Sequence, residues 1–186
     1  MSDEVMQIFK DAGAVLEGHF LLTSGLHSAV YWEKFRVLQY PQHTVKLCGL
    51  IAERFKKDGV QVVAGPTTGG IILAYEVARQ LGVRGIFAEK EGDKRAFRRG
   101  FTIATGERVL IVDDVLTTGG SIVEIIAAVN ALKGNTVGIG VLLDRTEQQK
   151  DFGAPFFSCL RAATQAYKPS ECPLCTAGIP LVRPGS

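Results

Sequence analysis

Residues 109–121, Val109-Leu110-Ile111-Val112-Asp113-Asp114-Val115-Leu116-Thr117-Thr118-Gly119-Gly120-Ser121, hold the densest run of chemically competent side chains in the sequence. An apolar stretch ends in two adjacent carboxylates, passes through a hydroxyl- and glycine-rich loop, and opens into a helix-period segment. Small residues let successive backbone N–H groups converge, and a helix N-terminus adds roughly half a positive charge. That combination cradles a phosphate. The loop has neither the Gly-x-x-x-x-Gly-Lys of nucleotide hydrolases nor the Gly-x-Gly-x-x-Gly of dinucleotide folds. Neighbouring strand residues point to opposite faces, so Asp113 and Asp114 can serve one ligand only where the strand is already turning into the loop. Beside a phosphate cradle, paired carboxylates suit the vicinal hydroxyls of a ribose. The bland alternative has Asp113 capping the loop and Asp114 in solvent.

The elements that must position this segment alternate between two periods. Residues 61–66 read as a buried strand broken by Gly65-Pro66. Gly69 to Leu81 has helical spacing at Ile72, Leu73, Val77 and Leu81, with Gly82 as its C-cap. Arg84 to Ala88 is a second strand. Glu107 to Asp113 is continuously apolar, as expected where both sheet faces are covered. Gly119 to Leu132 follows as a helix, with Ile122, Ile125, Ile126 and Val129 on one side. Thr136 to Leu143 and Pro155 to Ala163 supply further strands. Upstream, Ser2 to Ala12 and Pro41 to Asp58 read as helices, and residues 15–36 as two short strands around Thr23-Ser24-Gly25. Strand–helix alternation of this kind implies an α/β fold with a mostly parallel sheet and helices on both faces. The first forty residues and the Pro-rich tail fall outside it and are expected to cap the sheet edge.

Composition narrows the function. The 186 residues are 46% hydrophobic and 22% charged, and fit one globular domain spanning 1–186. A net charge of +2 argues against a partner held through many phosphates, so no nucleic acid is expected. No run approaches the ~20 apolar residues that cross a bilayer, and no secretory leader stands at the acidic N-terminus. Four cysteines are too few for a disulfide scaffold. The expectation is a cytoplasmic protein with no membrane partner.

The 109–121 segment resembles the phosphoribosyl-pyrophosphate (PRPP) signature of type I phosphoribosyltransferases. The resemblance implies that fold, with a small hood built from residues 1–40 and about 165–186. It implies that Asp113 and Asp114 hold the ribose hydroxyls, and that Val115, Leu116, Thr117, Thr118, Gly119, Gly120 and Ser121 surround the 5′-phosphate. Gly65-Pro66-Thr67-Thr68-Gly69-Gly70 resembles the pyrophosphate loop, which assigns Thr67, Thr68, Gly69 and Gly70 to PRPP. Gly18-His19-Phe20-Leu21-Leu22-Thr23-Ser24-Gly25, with Ser28 and Tyr31, is similar to the base-binding region of orotate phosphoribosyltransferases. Leu143-Asp144-Arg145 resembles the stretch whose Arg meets the orotate carboxylate. Cys172-Pro173-Leu174-Cys175 through Val182 is similar to the tail of one bacterial branch. Orotate contacts are thereby implied for Thr23, Ser24, Gly25, Thr117 and Arg145. Read without the resemblance, Arg145 suits a surface salt bridge with Asp144 or Glu147 better, and Thr23-Ser24-Gly25 is an ordinary turn.

The implied reaction takes PRPP and orotate to orotidine 5′-monophosphate and pyrophosphate, a step of UMP biosynthesis. Mg²⁺ is the implied cofactor, bound through PRPP and water, with no direct protein ligation expected. Residues 89–99 hold five basic and three acidic side chains, a surplus equal to that of the whole chain. They correspond to the family's mobile catalytic loop, which reaches across a homodimer interface, and Lys90 and Lys94 are its best positional matches. The loop departs from the family pattern in lacking His. Gly69 and Thr23 also stand where relatives carry Lys. Arg98 and Arg99 either supply the missing charge or lead into the next strand. The alternatives are a purine or xanthine phosphoribosyltransferase and a non-catalytic PRPP-sensing regulator.

Other residues read as bland. Cys172-x-x-Cys175 has the spacing of half a zinc site or a redox pair. No second Cys pair or His pair stands at a matching spacing, so a structural role is expected. His19, His27 and His43 are scattered. Tyr31, Trp32 and Phe35 could stack on a base, but core packing is the expectation.

Overall fold

The structure, a computed structural model, describes residues 2–22, 24–163 and 165–184. Helix α1 (Ser2–Asp11) leads into the strands β1 (Val15–Leu21) and β2 (His27–Trp32), followed by a single turn, α2 (Phe35–Leu38), and α3 (Pro41–Phe55). Then come β3 (Val62–Pro66), α4 (Gly69–Leu81), β4 (Arg84–Glu91), β5 (Lys94–Phe97), β6 (Arg108–Leu116), α5 (Gly120–Ala131), β7 (Asn135–Asp144) and β8 (Phe156–Arg161). The tail adds β9 (Ala166–Tyr167), a 3-10 turn (Pro169–Glu171) and α6 (Pro173–Thr176). Helix boundaries follow local chemistry: Pro41 opens α3, and Gly82 closes α4 at φ 70°, a left-handed turn that glycine adopts without Cβ strain.

The central sheet runs β5-β4-β3-β6-β7-β8, parallel throughout except for β5, which pairs antiparallel with β4. Its two faces bury separate cores, and β6 shows why its sequence is continuously apolar. Leu110 and Val112 pack on the side of α1, α3 and α4, with Phe9, Phe55, Leu47 and Leu73. Val109 and Ile111 pack on the side of α5, with Ile122, Ile125 and Val129. A residue on either face is therefore out of water, and alternation is replaced by an unbroken run. The same parity carries on into the acids that follow.

Residues 89–99 depart from expectation. They form a β-hairpin, with Glu89 opposite Ala96 and Glu91 opposite Lys94, rather than an irregular loop. Arg98 pairs with Glu91 and Arg99 with Glu89, so neither supplies free charge. Strand β6 also runs to Leu116, three residues beyond the expected end. A second sheet, β1-β2-β9, is antiparallel and separate from the central one, whereas α1, within the same expected hood residues, packs into the core beside α3. Phe35 departs from the core expectation: it is 45% exposed, whereas Trp32 packs edge-on to Phe9 at 5.5 Å.

Two glycines set how closely α3 approaches the sheet. A Cβ on Gly138 would lie 2.3 Å from the Phe55 ring, and one on Gly140 would lie 2.5 Å from Ile51. Both facing side chains are fully buried and have nowhere to go. Gly138→Ala is therefore expected to destabilise by about 1–3 kcal/mol through overpacking. That corresponds to a fall in Tm of roughly 2–4 °C per kcal/mol in a chain of this size. Thermal unfolding of the variant against the parent checks it, and an unchanged Tm would mean that α3 shifts freely.

Candidate active site

Asp113 and Asp114 lie within β6, which pairs on to Leu116, so the chain is not yet turning at the acids as expected, and both are buried. They follow the strand's parity to opposite faces. Asp113 turns toward α5, where its Oδ2 accepts the Ser121 hydroxyl at 2.7 Å and its Oδ1 accepts the Asp114 N–H at 2.8 Å. Asp114 turns the other way. Its Oδ1 accepts the Lys34 ammonium at 2.9 Å and the Val115 N–H at 2.7 Å. A Cβ on Gly69 would stand 1.9 Å from Asp114 Oδ2, so a side chain there requires the Asp114 carboxylate to turn away. That close approach accounts for Gly69 at a position where a longer side chain would collide with the acid.

The loop Thr117-Thr118-Gly119 then turns the chain into α5. Gly119 takes φ 82° at the helix N-cap, and the first N–H groups of α5 have no intrahelical acceptor. Lys150 donates to the Thr118 carbonyl and adds positive charge beside this end. A second strand-to-helix turn lies alongside, from β3 into α4. Its glycines are held by contact: a Cβ on Gly65 would meet the Gly70 carbonyl oxygen at 2.2 Å, and one on Gly70 would meet Pro66 at 2.4 Å. The Thr67–Thr68 peptide is cis. Arg95 on β5 ties the turn to the hairpin, donating to Thr67 Oγ1 at 3.3 Å and pairing with Glu124 at 3.1 Å.

Between the β6 end and the hood opens a cleft of about 930 Å³. Ser24, Tyr31, Lys34, Thr117, Thr118 and Arg145 line it. Arg145 follows β7 and is fixed by its own N–H, which donates to the Leu116 carbonyl at 2.9 Å. Its side chain is half-buried and makes no salt bridge among the described residues. The guanidinium Nε is buried without a hydrogen-bond partner. Burial lowers the guanidinium's pKa from its ordinary value, and Tyr31 opposes that shift. Asp144, its expected surface partner, is committed elsewhere: it accepts the Thr146 N–H and hydroxyl at 2.9 and 2.7 Å and faces Arg161 at 3.8 Å.

A family model described as a phosphoribosyl transferase domain matches residues 36–173. The chain belongs to the phosphoribosyltransferase family. It is 50% identical to an orotate phosphoribosyltransferase of Desulforamulus reducens over 184 residues, 99% of this chain and 96% of that one. The crystal structure of orotate phosphoribosyltransferase from Aeropyrum pernix superposes with a TM-score of 0.74 at 29% identity, covering 84% of this chain and 93% of that one. An adenine phosphoribosyltransferase from Thermoanaerobacter pseudethanolicus also superposes, with a TM-score of 0.70 at 20% identity, covering 87% and 100%. The type I fold is therefore shared across bases. What selects the base must lie in side chains of the cleft.

The structure gathers Ser24, Thr117, Thr118 and Arg145 of this phosphoribosyltransferase around one cleft. Gly25 holds the hairpin turn above it at φ 81°, and Thr23 lies outside the described residues. Lys90 and Lys94 do not line the cleft; they project from the hairpin at the opposite edge of the sheet. Lys34 was not anticipated. A single lysine after a short strand carries no motif, and only the fold brings it across 80 residues to Asp114. His19, His27, Cys172 and Cys175, read as unconnected in sequence, converge in the hood. The spacing argument failed because the second pair of ligand-type residues comes from another hairpin.

Burial and the neighbouring Asp114 charge raise the Asp113 carboxyl from 3.8 to about 6, against the opposing Ser121 and backbone hydrogen bonds. The folded chain thus holds this proton more tightly than the unfolded chain does. Asp113 costs nothing below pH ~4, and its cost grows until it is fully ionised above about 6. Asp113→Asn is expected to match the parent's stability near pH 4 and to exceed it at pH 8, on the order of 1–3 kcal/mol. Urea unfolding at the two pH values measures the difference, and parallel curves would refute the assignment.

Proposed function

We propose that this phosphoribosyltransferase transfers ribose 5-phosphate from PRPP to N1 of orotate, releasing orotidine 5′-monophosphate and pyrophosphate for UMP synthesis. The observation that carries the choice of base is Arg145: a half-buried guanidinium in the cleft with an unpartnered Nε and no acidic neighbour engaged. A planar fork of donors suits a carboxylate, and orotate differs from uracil by that group. A neutral purine would leave the charge uncompensated. The relatives of about half identity, named for orotate, support the same reading.

Displacement at an anomeric carbon builds oxocarbenium character on the sugar and negative charge on the leaving diphosphate. In this reading the free N–H groups at the start of α5, with Thr117 to Ser121, hold the 5′-phosphate. Asp114 Oδ2, which has no protein partner among the described residues, accepts a ribose hydroxyl, while Asp113, turned to the α5 side, holds Ser121 at the start of the helix. Lys34 holds Asp114 in position through its Oδ1. Thr67, Thr68, Gly69 and Gly70 hold the diphosphate on the α4 N-terminus. Two reactants fixed in line, with charge stabilised at the leaving group, supply the acceleration.

Mg²⁺ fits this donor set as a substrate-borne ion. Asp113 and Asp114 are already hydrogen-bonded, so the ion would be held mainly by oxygens of the diphosphate, ribose and water. When bound, it neutralises charge on the departing diphosphate.

The enzyme works in the cytoplasm as a homodimer in which the 89–99 hairpin reaches the neighbouring cleft. Two features support this. Val45, Ile72 and Tyr75, exposed at 42%, 40% and 70%, form an apolar groove between α3 and α4, of a kind monomers seldom leave open. Lys90 and Lys94, alone among the hairpin's basic residues, have no ion pair among the described residues.

Loss of orotate absorbance, with and without PRPP and Mg²⁺, tests the activity, and a panel of purine bases tests the selection. Arg145→Ala is expected to raise KM for orotate at least tenfold and to leave KM for PRPP within about twofold, the loss of a charge-assisted contact. Equal effects on both substrates would make Arg145 structural. Asp114→Asn is expected to lower kcat by two or more orders of magnitude in a chain that still folds, since a charged contact to the reacting sugar is lost. Undiminished turnover would overturn the role given to the acids.

A further inference from the structure

The hood holds a constellation that the transfer reaction does not use. His19 on β1, His27 on β2, and Cys172 and Cys175 around the start of α6 bring four ligand atoms within 4.8 Å of one another. His19, His27 and Cys172 are buried. We propose that these four residues bind one Zn²⁺, through His19 Nε2, His27 Nδ1 and the two thiolates, and that the ion fastens the C-terminal tail to the strands roofing the cleft.

Three of the nitrogen–sulfur distances are close to those of a tetrahedral site. With Zn–N near 2.0–2.1 Å and Zn–S near 2.3 Å, tetrahedral N···S edges are about 3.5–3.6 Å and N···N about 3.3 Å. The structure has Cys172 Sγ 3.5 Å and Cys175 Sγ 3.7 Å from His19 Nε2, and Cys175 Sγ 3.3 Å from His27 Nδ1. The nitrogens are 2.9 Å apart, so an entering ion opens that edge by a few tenths of an ångström. Two imidazoles and two thiolates in this geometry select zinc among common divalent ions, and the thiolates balance its charge.

The outer contacts fit as well. His19 Nδ1 lies 2.7 Å from the Ile179 carbonyl, which can only accept, so Nδ1 carries the proton and Nε2 turns its lone pair inward. Backbone fixing of a ligating imidazole through its other nitrogen is the usual support of a metal site. Cys172 caps the short α6, so Cys-x-x-Cys spacing folds both sulfurs to one side.

The tail itself shows what the ion is needed for. Among the described residues of 165–184, Cys172 is the only one fully buried. Ile179, Leu181 and Val182 remain 41–52% exposed, and β9 contributes two residues to its sheet. Apolar burial of that size does not hold twenty residues in place, whereas a metal bond closing a loop of some 150 residues does. The consequence reaches the cleft, because His27 adjoins Leu26, and Ala166 pairs with Ser28; Leu26 and Ala166 both line it.

The test is elemental analysis of the full-length protein, purified under reducing conditions and freed of loose metal on a chelating resin. We expect close to one zinc per chain. Replacement by Co²⁺ is expected to give the intense visible bands of a tetrahedral site and the charge-transfer absorption of bound thiolate. His27→Ala and Cys172→Ser should each hold less than a tenth of an equivalent, and His43→Ala, outside the cluster, a full one. Removing the ion from the parent should lower Tm by several degrees and speed alkylation of Cys172 and Cys175, mapped by mass. Should the variants fail to fold, the parent protein decides alone. Absence of zinc as purified, together with no uptake by reduced apoprotein from stoichiometric zinc, would overturn the site. So would equal alkylation rates with and without zinc. None of these readouts depends on the identity of the substrate.

Discussion

A carboxylate can be buried only if something nearby repays its lost hydration, and this molecule buries two in succession near the end of one strand. On a strand, consecutive residues cannot share a face, so the compensation has to come from both sides of the sheet at once. On the α5 side it comes from Ser121 and the Asp114 N–H; on the α3–α4 side it comes from Lys34 and the Val115 N–H. Much of the architecture is in place to satisfy this. The loop after β6 must be short for Ser121 to return to Asp113. The turn before α4 must be glycine-rich for Asp114 to have room.

The compensation is partial, and that is what makes the strand end reactive. Asp113 is held well above the ordinary carboxylate range because burial outweighs its two hydrogen bonds. Asp114 has one oxygen engaged and one facing the glycine turn. Arg145 shows the same incompleteness with the opposite sign, a guanidinium half out of water with one donor unmet. Fully satisfied groups would stabilise the fold further and would hold no ligand.

How much of this the sequence discloses depends on whether the determining contacts are local. Helix α4 is legible to the residue, because its periodicity, its glycine cap and the turn before it are contiguous. The strand–loop–helix run of residues 109–121 is legible for the same reason. The hairpin of residues 89–99 was not read as one because charge density masked its alternation, although Gly92-Asp93 between two short runs is a two-residue turn signal. The extent of β6 was misjudged because acids argue against a buried strand until their partners are known. Lys34 and the histidine–cysteine cluster are products of tertiary pairing alone, over separations of 80 and 153 residues. No window of local sequence contains them.

The two halves of the cleft consequently differ in what holds them. The floor is the carboxyl end of a parallel sheet, pinned by two apolar cores and unable to move without disturbing both. The roof is a three-stranded sheet with one two-residue strand and a tail almost without buried residues. Positioning a sugar phosphate requires the first kind of rigidity. Admitting and releasing a planar base requires that the roof be thin, and a thin roof cannot be held by hydrophobic burial. Its order comes instead from directional bonds: the β2–β9 pairing, the backbone bonds of Val182 to His19 and Leu21, and side chains gathered around His19. The four converging side chains of His19, His27, Cys172 and Cys175 are the densest such point in the described hood, placed where β1, β2 and the tail meet. Beside that point the Val182 N–H donates to the His19 carbonyl and the Leu21 N–H to the Val182 carbonyl, so backbone and side chains together keep the roof registered over the Arg145 cleft.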